Sequence, residues 1–142
     1  MSLYSQQSNL AAYRSVSAHG LAASADPHAL VLAVFDAILG RLASAGSCIE
    51  RGEGARKAGL LHSSVILLAE LRGSLNLEQG GSLAQNLSDL YEYMARRLVH
   101  ANLNSDAAAV KEVSGLLREI RDAWVAIGPE VRQQPARAAS AA

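Results

Sequence analysis

The chain holds a single cysteine, Cys48, three prolines and only 4% aromatic residues in a length of 142. One cysteine excludes an intramolecular disulfide and fits a reducing compartment. An excess of charge of one sign is also missing. Thirteen basic and thirteen acidic side chains cancel, and no basic block stands out, so the chain lacks the electrostatic footprint of a protein that binds nucleic acid or anionic lipid. No apolar run approaches the length expected of a membrane span, so no membrane insertion is expected. The first residues, Met1-Ser2-Leu3-Tyr4-Ser5-Gln6-Gln7, lack the basic start and apolar core of a Sec signal peptide. These absences point to a cytoplasmic, soluble protein. With proline scarce, an Ala- and Leu-dominated chain that is 50% hydrophobic and 18% charged favours helix over strand.

What is present is helical periodicity in four blocks. Residues 1–25 are small and polar apart from Leu10, Ala11, Ala12, Tyr13 and Val16, and read as a mobile N-terminal arm with a short helical stretch. Asp26-Pro27 opens the first long helix: Asp accepts N–H groups at an N-cap, and Pro at the first helical position gives up an N–H that had no partner there. Val31, Val34, Phe35, Ile38, Leu42, Ala45 and Ile49 line one face as far as Arg51, and Gly52-Glu53-Gly54 ends it. A second helix is expected from about Ala55 to Leu75, with Leu61, Val65, Leu68 and Leu75 inside. After Gly80-Gly81, Ser82 and Gln85 match a capping box. Leu83, Leu87, Leu90, Met94, Leu98 and Ala101 then recur at steps of three and four as far as Asn102. Asn104-Ser105-Asp106 caps a fourth helix whose inner face is Val110, Val113, Leu117, Ile120, Trp124 and Ile127, and Gly128-Pro129 stops it. Residues 129–142 show no apolar period and read as a disordered tail. Helices of this length on short loops predict an all-α, antiparallel up-down four-helix bundle over 26–128. The i,i+4 pairs Glu92 with Arg96 and Arg118 with Asp122 are expected on its surface.

Catalytic and metal sites are not indicated. A di-iron bundle needs Glu-x-x-His on two helices, and none of the glutamates is followed by histidine at that step. His19, His28, His62 and His100 fall in separate segments and form no zinc-binding set. Cys48 lies near a helix C-terminus, where the dipole disfavours a thiolate. Gly80-Gly81 lacks the Lys and Thr of a phosphate loop, so no cofactor is expected. His62, with no Lys or Arg within the next two turns, is a weak match to a phosphotransfer histidine. That alternative, and a generic helical adaptor, are the competing readings.

The positive finding is surplus apolar surface. A bundle helix needs an apolar face about 100° wide. On the second helix Leu60, Leu67 and Leu71 widen it to about 160° at ~100° per residue, and on the third Tyr91 and Tyr93 flank the core stripe. A broad Leu-filled face can simply be core; an exposed one is a seat for another helix. The expected partner-binding residues are therefore Leu60, Leu67, Leu71, Tyr91 and Tyr93. In the arm Leu10, Tyr13 and Val16 recur at three-residue steps, and Tyr13 is the expected anchor of a short helix lying over the same groove.

The string Ala84-Gln85-Asn86-Leu87-Ser88-Asp89-Leu90-Tyr91-Glu92-Tyr93-Met94, then Arg97-Leu98-Val99-His100-Ala101-Asn102, resembles the flagellin-specific secretion chaperone family (the FliS type). So do Asp26-Pro27-His28-Ala29-Leu30-Val31 with Phe35-Asp36-Ala37, Leu67-Leu68-Ala69-Glu70-Leu71, Asn102-Leu103-Asn104-Ser105-Asp106 and Ala123-Trp124. Phe35 and Ala37 stand where the family usually has Tyr and Gly, and the connector from Tyr13 to Pro27 is longer than typical. The resemblance implies a non-enzymatic export chaperone. Its partners would be the disordered C-terminal segment of flagellin, held as helices and extended pieces so that it cannot polymerise, and a component of the flagellar type III export gate.

Overall fold

The computed structural model describes residues 26–128, and the arm, with Tyr13, and the tail lie outside them. The described residues form α1 (Pro27–Arg51), α2 (Gly54–Gly73), α3 (Leu77–Asn104) and α4 (Ala107–Ala126), with no strand among them. Each boundary has a local cause. At the start of α1 the Asp26 carboxylate accepts the Ala29 N–H at 3.1 Å, as the Asp-Pro signal requires. Gly52, at φ 71°, ends α1. Asp106 Oδ1 accepts the Ala108 and Ala109 N–H groups at 3.1 and 3.2 Å and so caps α4.

α3 departs from the sequence expectation at its start. It begins at Leu77, not Ser82, because the Asn76 side chain accepts the Gln79 N–H at 3.0 Å. Gly81 then breaks the helix at φ 55°, ψ −134°, so the two glycines do interrupt the backbone. The expected capping box does not close: the Gln85 amide donates to Asp89 at 2.9 Å instead of reaching back to Ser82.

The described residues fall into two compact units, one of residues 26–36 with 117–128, the other of Ala37–Leu116. In the first, the start of α1 and the end of α4 run antiparallel, since His28 meets Trp124 and Asp36 meets Arg121. The His28 and Trp124 rings stack at 4.7 Å and 9°. His28 Nε2 donates to the Trp124 carbonyl at 2.6 Å while Trp124 Nε1 donates to the His28 carbonyl at 2.9 Å. Phe35 meets the edge of the same indole at 6.5 Å. His28 is thus a core residue, which its flanking sequence did not reveal.

In the second unit, Lys57 reaches Asn102 while Arg72 reaches Glu92, so α2 and α3 are antiparallel. The His100–Asp106 and Arg97–Glu112 contacts establish the same for α3 and α4. Its core is Ile38, Leu42, Ala45 and Cys48 of α1, Leu61, Leu67, Leu68 and Leu71 of α2, Tyr91, Met94, Leu98 and Ala101 of α3, and Ala109, Val110 and Val113 of α4. Each large member contributes about 1.5–3 kcal/mol by leaving water. The expected surface pairs are replaced: Glu92 pairs with Arg72 rather than Arg96, and Asp122 with Arg121 rather than Arg118.

Among the described residues one helix, α1, is by length and composition apolar enough to cross a membrane, with mean hydropathy 1.7 over its most apolar window. This corrects the expectation that no such run exists. The cause is the outward face of α1, where the charged Asp36 is flanked by Ala33, Gly40, Ala43 and Ser44. A core helix passes the same test, and α1 buries Phe35, Ile38, Leu42, Ala45 and Cys48.

Candidate binding cleft between the second and third helices

Along α2 the steps of three and four place Leu61, Ser64, Leu68 and Leu71 inside. The two serines in the middle turn are interior but satisfied: Ser63 and Ser64 hydroxyls donate to the Leu60 carbonyl at 3.1 and 2.9 Å. Ser63 also accepts from Arg41 Nε at 3.0 Å. On α3 the buried stripe is Ala84, Ser88, Tyr91, Met94, Leu98 and Ala101. Leu83, expected inside, is 69% exposed. Small Ala84 and Ser88 let α2 come close, and Arg72 Nε donates to Ser88 Oγ at 2.8 Å. A large leucine at the same seam would hold the helices apart.

Toward the other end the two helices leave an open cleft of about 130 Å³, lined by Leu61, His62 and Val65 of α2 and Leu98, Val99, Asn102 and Leu103 of α3. Leu98 and Leu61 form its floor and are fully buried, whereas Val99 is 51% and Leu103 80% exposed. Leu103 keeps its place because the turn behind it is clamped. The buried Lys57 ammonium donates to the Asn102 carbonyl at 3.0 Å and to Ser105 Oγ at 2.9 Å. Ser105 itself is left-handed at φ 48°, a conformation that costs a residue with a Cβ.

Behind α3, on the side of α4, the Tyr93 hydroxyl donates to Glu112, and Arg97 Nε donates to the same carboxylate at 2.8 Å. The bond from Tyr93, then the guanidinium, hold the Glu112 carboxyl below its ordinary range, and the Tyr93 hydroxyl is raised by the same bond. Burial alone pushes Tyr91 up to about 12.

The residues expected to bind a partner are therefore divided. Leu67, Leu71 and Tyr91 belong to the core in this structure, exposed by only 2, 4 and 4%. Leu67 and Leu71 of the second leucine stripe of α2 are thus interior and do not line an exposed groove. Leu60 and Tyr93 are half-buried, with Tyr93 committed to Glu112. Tyr13 lies outside the described residues. Sequence reasoning missed Val99 and Leu103, whose signal was available: two branched aliphatics four apart, off the core stripe. His62, considered for phosphotransfer, is exposed on the cleft wall. Among the described residues no group of three or more His, Cys, Asp or Glu is arranged to hold a metal.

Comparison with known proteins places this arrangement. The sequence profile described as "Flagellar protein FliS" matches residues 8–131. The chain belongs to the FliS family. The flagellar secretion chaperone FliS of Salmonella typhimurium is 40% identical over 131 residues, covering 92% of this chain and 97% of the relative. The flagellar secretion chaperone FliSB of Pseudomonas aeruginosa is 39% identical over 112 residues, 79% of this chain and 89% of the relative. FliS of Escherichia coli is 36% identical over 127 residues, 87% and 93% of the two chains. As a member of the FliS family the chain is a flagellar secretion chaperone and not an enzyme, which sets aside phosphotransfer at His62.

Proposed function

We propose that this FliS-family chain is a cytoplasmic export chaperone that binds the disordered C-terminal segment of flagellin, prevents its premature polymerisation and assists its delivery to the gate of the flagellar type III export apparatus. The observation that carries the reading is the α2–α3 cleft, an apolar trough with fully buried Leu61 and Leu98 as floor and exposed Val99 and Leu103 as wall. Exposed aliphatic side chains beside a preformed cleft are what an amphipathic helix covers. A disordered segment that folds there offsets its ordering entropy by removing this apolar surface from water. Half-buried Leu60 and Tyr93 lie off this cleft, Tyr93 on the α4 side of α3, and are proposed as contacts for further pieces of the same cargo, while Tyr13 of the arm is proposed to compete for the cleft. Calorimetric titration with a flagellin C-terminal peptide tests the reading: Leu103→Asp is expected to weaken binding at least tenfold with the helix content unchanged. Absence of binding to the wild-type chain at high micromolar peptide defeats it.

A further inference from the structure

The two lips of the α2–α3 cleft are not electrically balanced. At ~100° per residue, the face of α2 toward the cleft carries Ala58, His62, Val65, Ala69 and Arg72, and the outer lip of α3 carries Glu92, Arg96, Val99 and Leu103. One end is closed by the Arg72–Glu92 ion pair at 3.1 Å. At the other, the Lys57 charge is engaged by the Asn102 carbonyl and the Ser105 hydroxyl. Between these ends the open cleft runs from Leu61 to Val65 on α2 and from Leu98 to Leu103 on α3, between one and two turns of a helix at about 5.4 Å per turn. On its outer lip the nearest acid among the described residues, Glu92, is already paired with Arg72. Asp89 lies a turn beyond the closing ion pair and accepts from Gln85. Arg97, the neighbouring cation, is turned to α4 and paired with Glu112 at 2.8 Å. Arg96 alone is exposed on the lip with no carboxylate partner among the described residues. It stands one turn from Val99 and two from Leu103, and on the facing wall the chargeable groups among those named are His62 and Arg72, the latter already paired with Glu92.

We infer that the occupant of this cleft is an amphipathic helical stretch that seats one aliphatic side chain between Val65 and Leu103 and presents an Asp or Glu carboxylate, about one turn along, to Arg96. The inference rests on the cargo-binding reading above and adds a selection rule to it. The apolar trough supplies most of the affinity, and the unpaired guanidinium fixes the register and rejects segments with a cation at that position. Electrostatic complementarity at a rim acts chiefly on association rate and specificity, and its effect falls as salt shortens the Debye length from about 10 Å at 0.1 M to about 3 Å at 1 M.

The test is calorimetric and kinetic titration of the full chain with a flagellin C-terminal peptide, in about 0.05 M and about 1 M salt. Arg96→Glu is compared with Lys111→Glu, a charge reversal at another exposed position, on α4 and off the cleft lining. Arg96→Glu is expected to weaken binding about three- to tenfold at low salt, mostly through a slower association, with the loss shrinking at high salt. Lys111→Glu should stay within about twofold of the wild type, as a charge outside the site does. Among peptides in which each Asp and Glu is replaced in turn by Lys, one should bind the Arg96→Glu chain better than the wild type. Equal affinities for Arg96→Glu and Lys111→Glu at low salt overturn the inference. If Leu103→Asp weakens binding while Arg96→Glu does not, the cleft is the cargo site and the charge rule alone is wrong. If the wild-type chain fails to bind the peptide, the cargo reading and this inference fall together.

Discussion

Gly81 turns the backbone through φ 55°, ψ −134°, a region that a residue with a Cβ enters only under strain. Gly81→Ala should destabilise the chain by about 1–3 kcal/mol, measured by urea unfolding. Gly80→Ala should also destabilise it, for a different reason: its Cβ would lie 2.5 Å from that of Ala84, so one of the two must move. These positions were legible in the sequence as a Gly-Gly break. The fate of their neighbours was not. Leu83 outranks Ala84 and Ser88 in hydrophobicity, yet it is exposed and they are buried, because approach distance between two helices rewards small residues and hydropathy does not report it. His28 shows the same gap. Its partner Trp124 is 96 positions away, and only the fold brings the indole N–H to the His28 carbonyl. Trp124→Phe keeps the stack but removes that bond, and should cost about 1 kcal/mol in a denaturant titration. A loss under a few tenths of that would show the bond to be replaced by water.

The helices themselves were readable because their ends carry strong local chemistry. Asp26-Pro27, Gly52 and Asp106 each act where the pattern put them, since a cap needs only residues within one turn. The seams between helices depend on partners distant in sequence, which is why Glu92 and Asp122 found other cations than those expected. The α3–α4 seam gives a pH prediction. Glu112 is lowered first by the bond from Tyr93 and next by Arg97, and Asp106 first by the Ala109 N–H. A carboxylate whose folded pKa lies below its unfolded value stabilises the fold above the unfolded value, about 4, and that contribution fades as pH falls through the folded one. Melting temperature should therefore hold from neutrality to about pH 5 and drop below about pH 4. Glu112→Gln should flatten part of that drop, and an unchanged acid limb in this variant would mean the seam contributes nothing. The α2–α3 clamp is of another kind, with Lys57 bonding a carbonyl and a hydroxyl. Lys57→Met removes both bonds; the exposed Ser105 hydroxyl turns to water, and the loss should cost about 1 kcal/mol.

At the scale of the molecule, folding and the proposed cargo binding would draw on the same apolar surface, divided by position. Leu67, Leu71 and Tyr91, all expected to be available for a partner, are spent on the interior. Among the described residues Leu77, Leu83, Val99, Leu103, Val125 and Ile127 stay exposed, and of these Val99 and Leu103 line the α2–α3 cleft. This division makes the two properties separable by mutation. Leu71→Asp places a charge in the core and should unfold the second unit, whereas Leu103→Asp, on a side chain 80% exposed, should leave the thermal transition nearly unmoved and weaken only the peptide. Binding itself should carry the mark of apolar surface leaving water, a negative heat-capacity change, together with a gain of helix in the peptide from circular dichroism. The Leu103→Asp chain should show a smaller heat-capacity change as well as weaker binding, because the surface it removes is the surface the peptide covers. If binding weakens but the heat-capacity change stays the same, the substitution acts from outside the interface and the wall of the site lies elsewhere on the molecule.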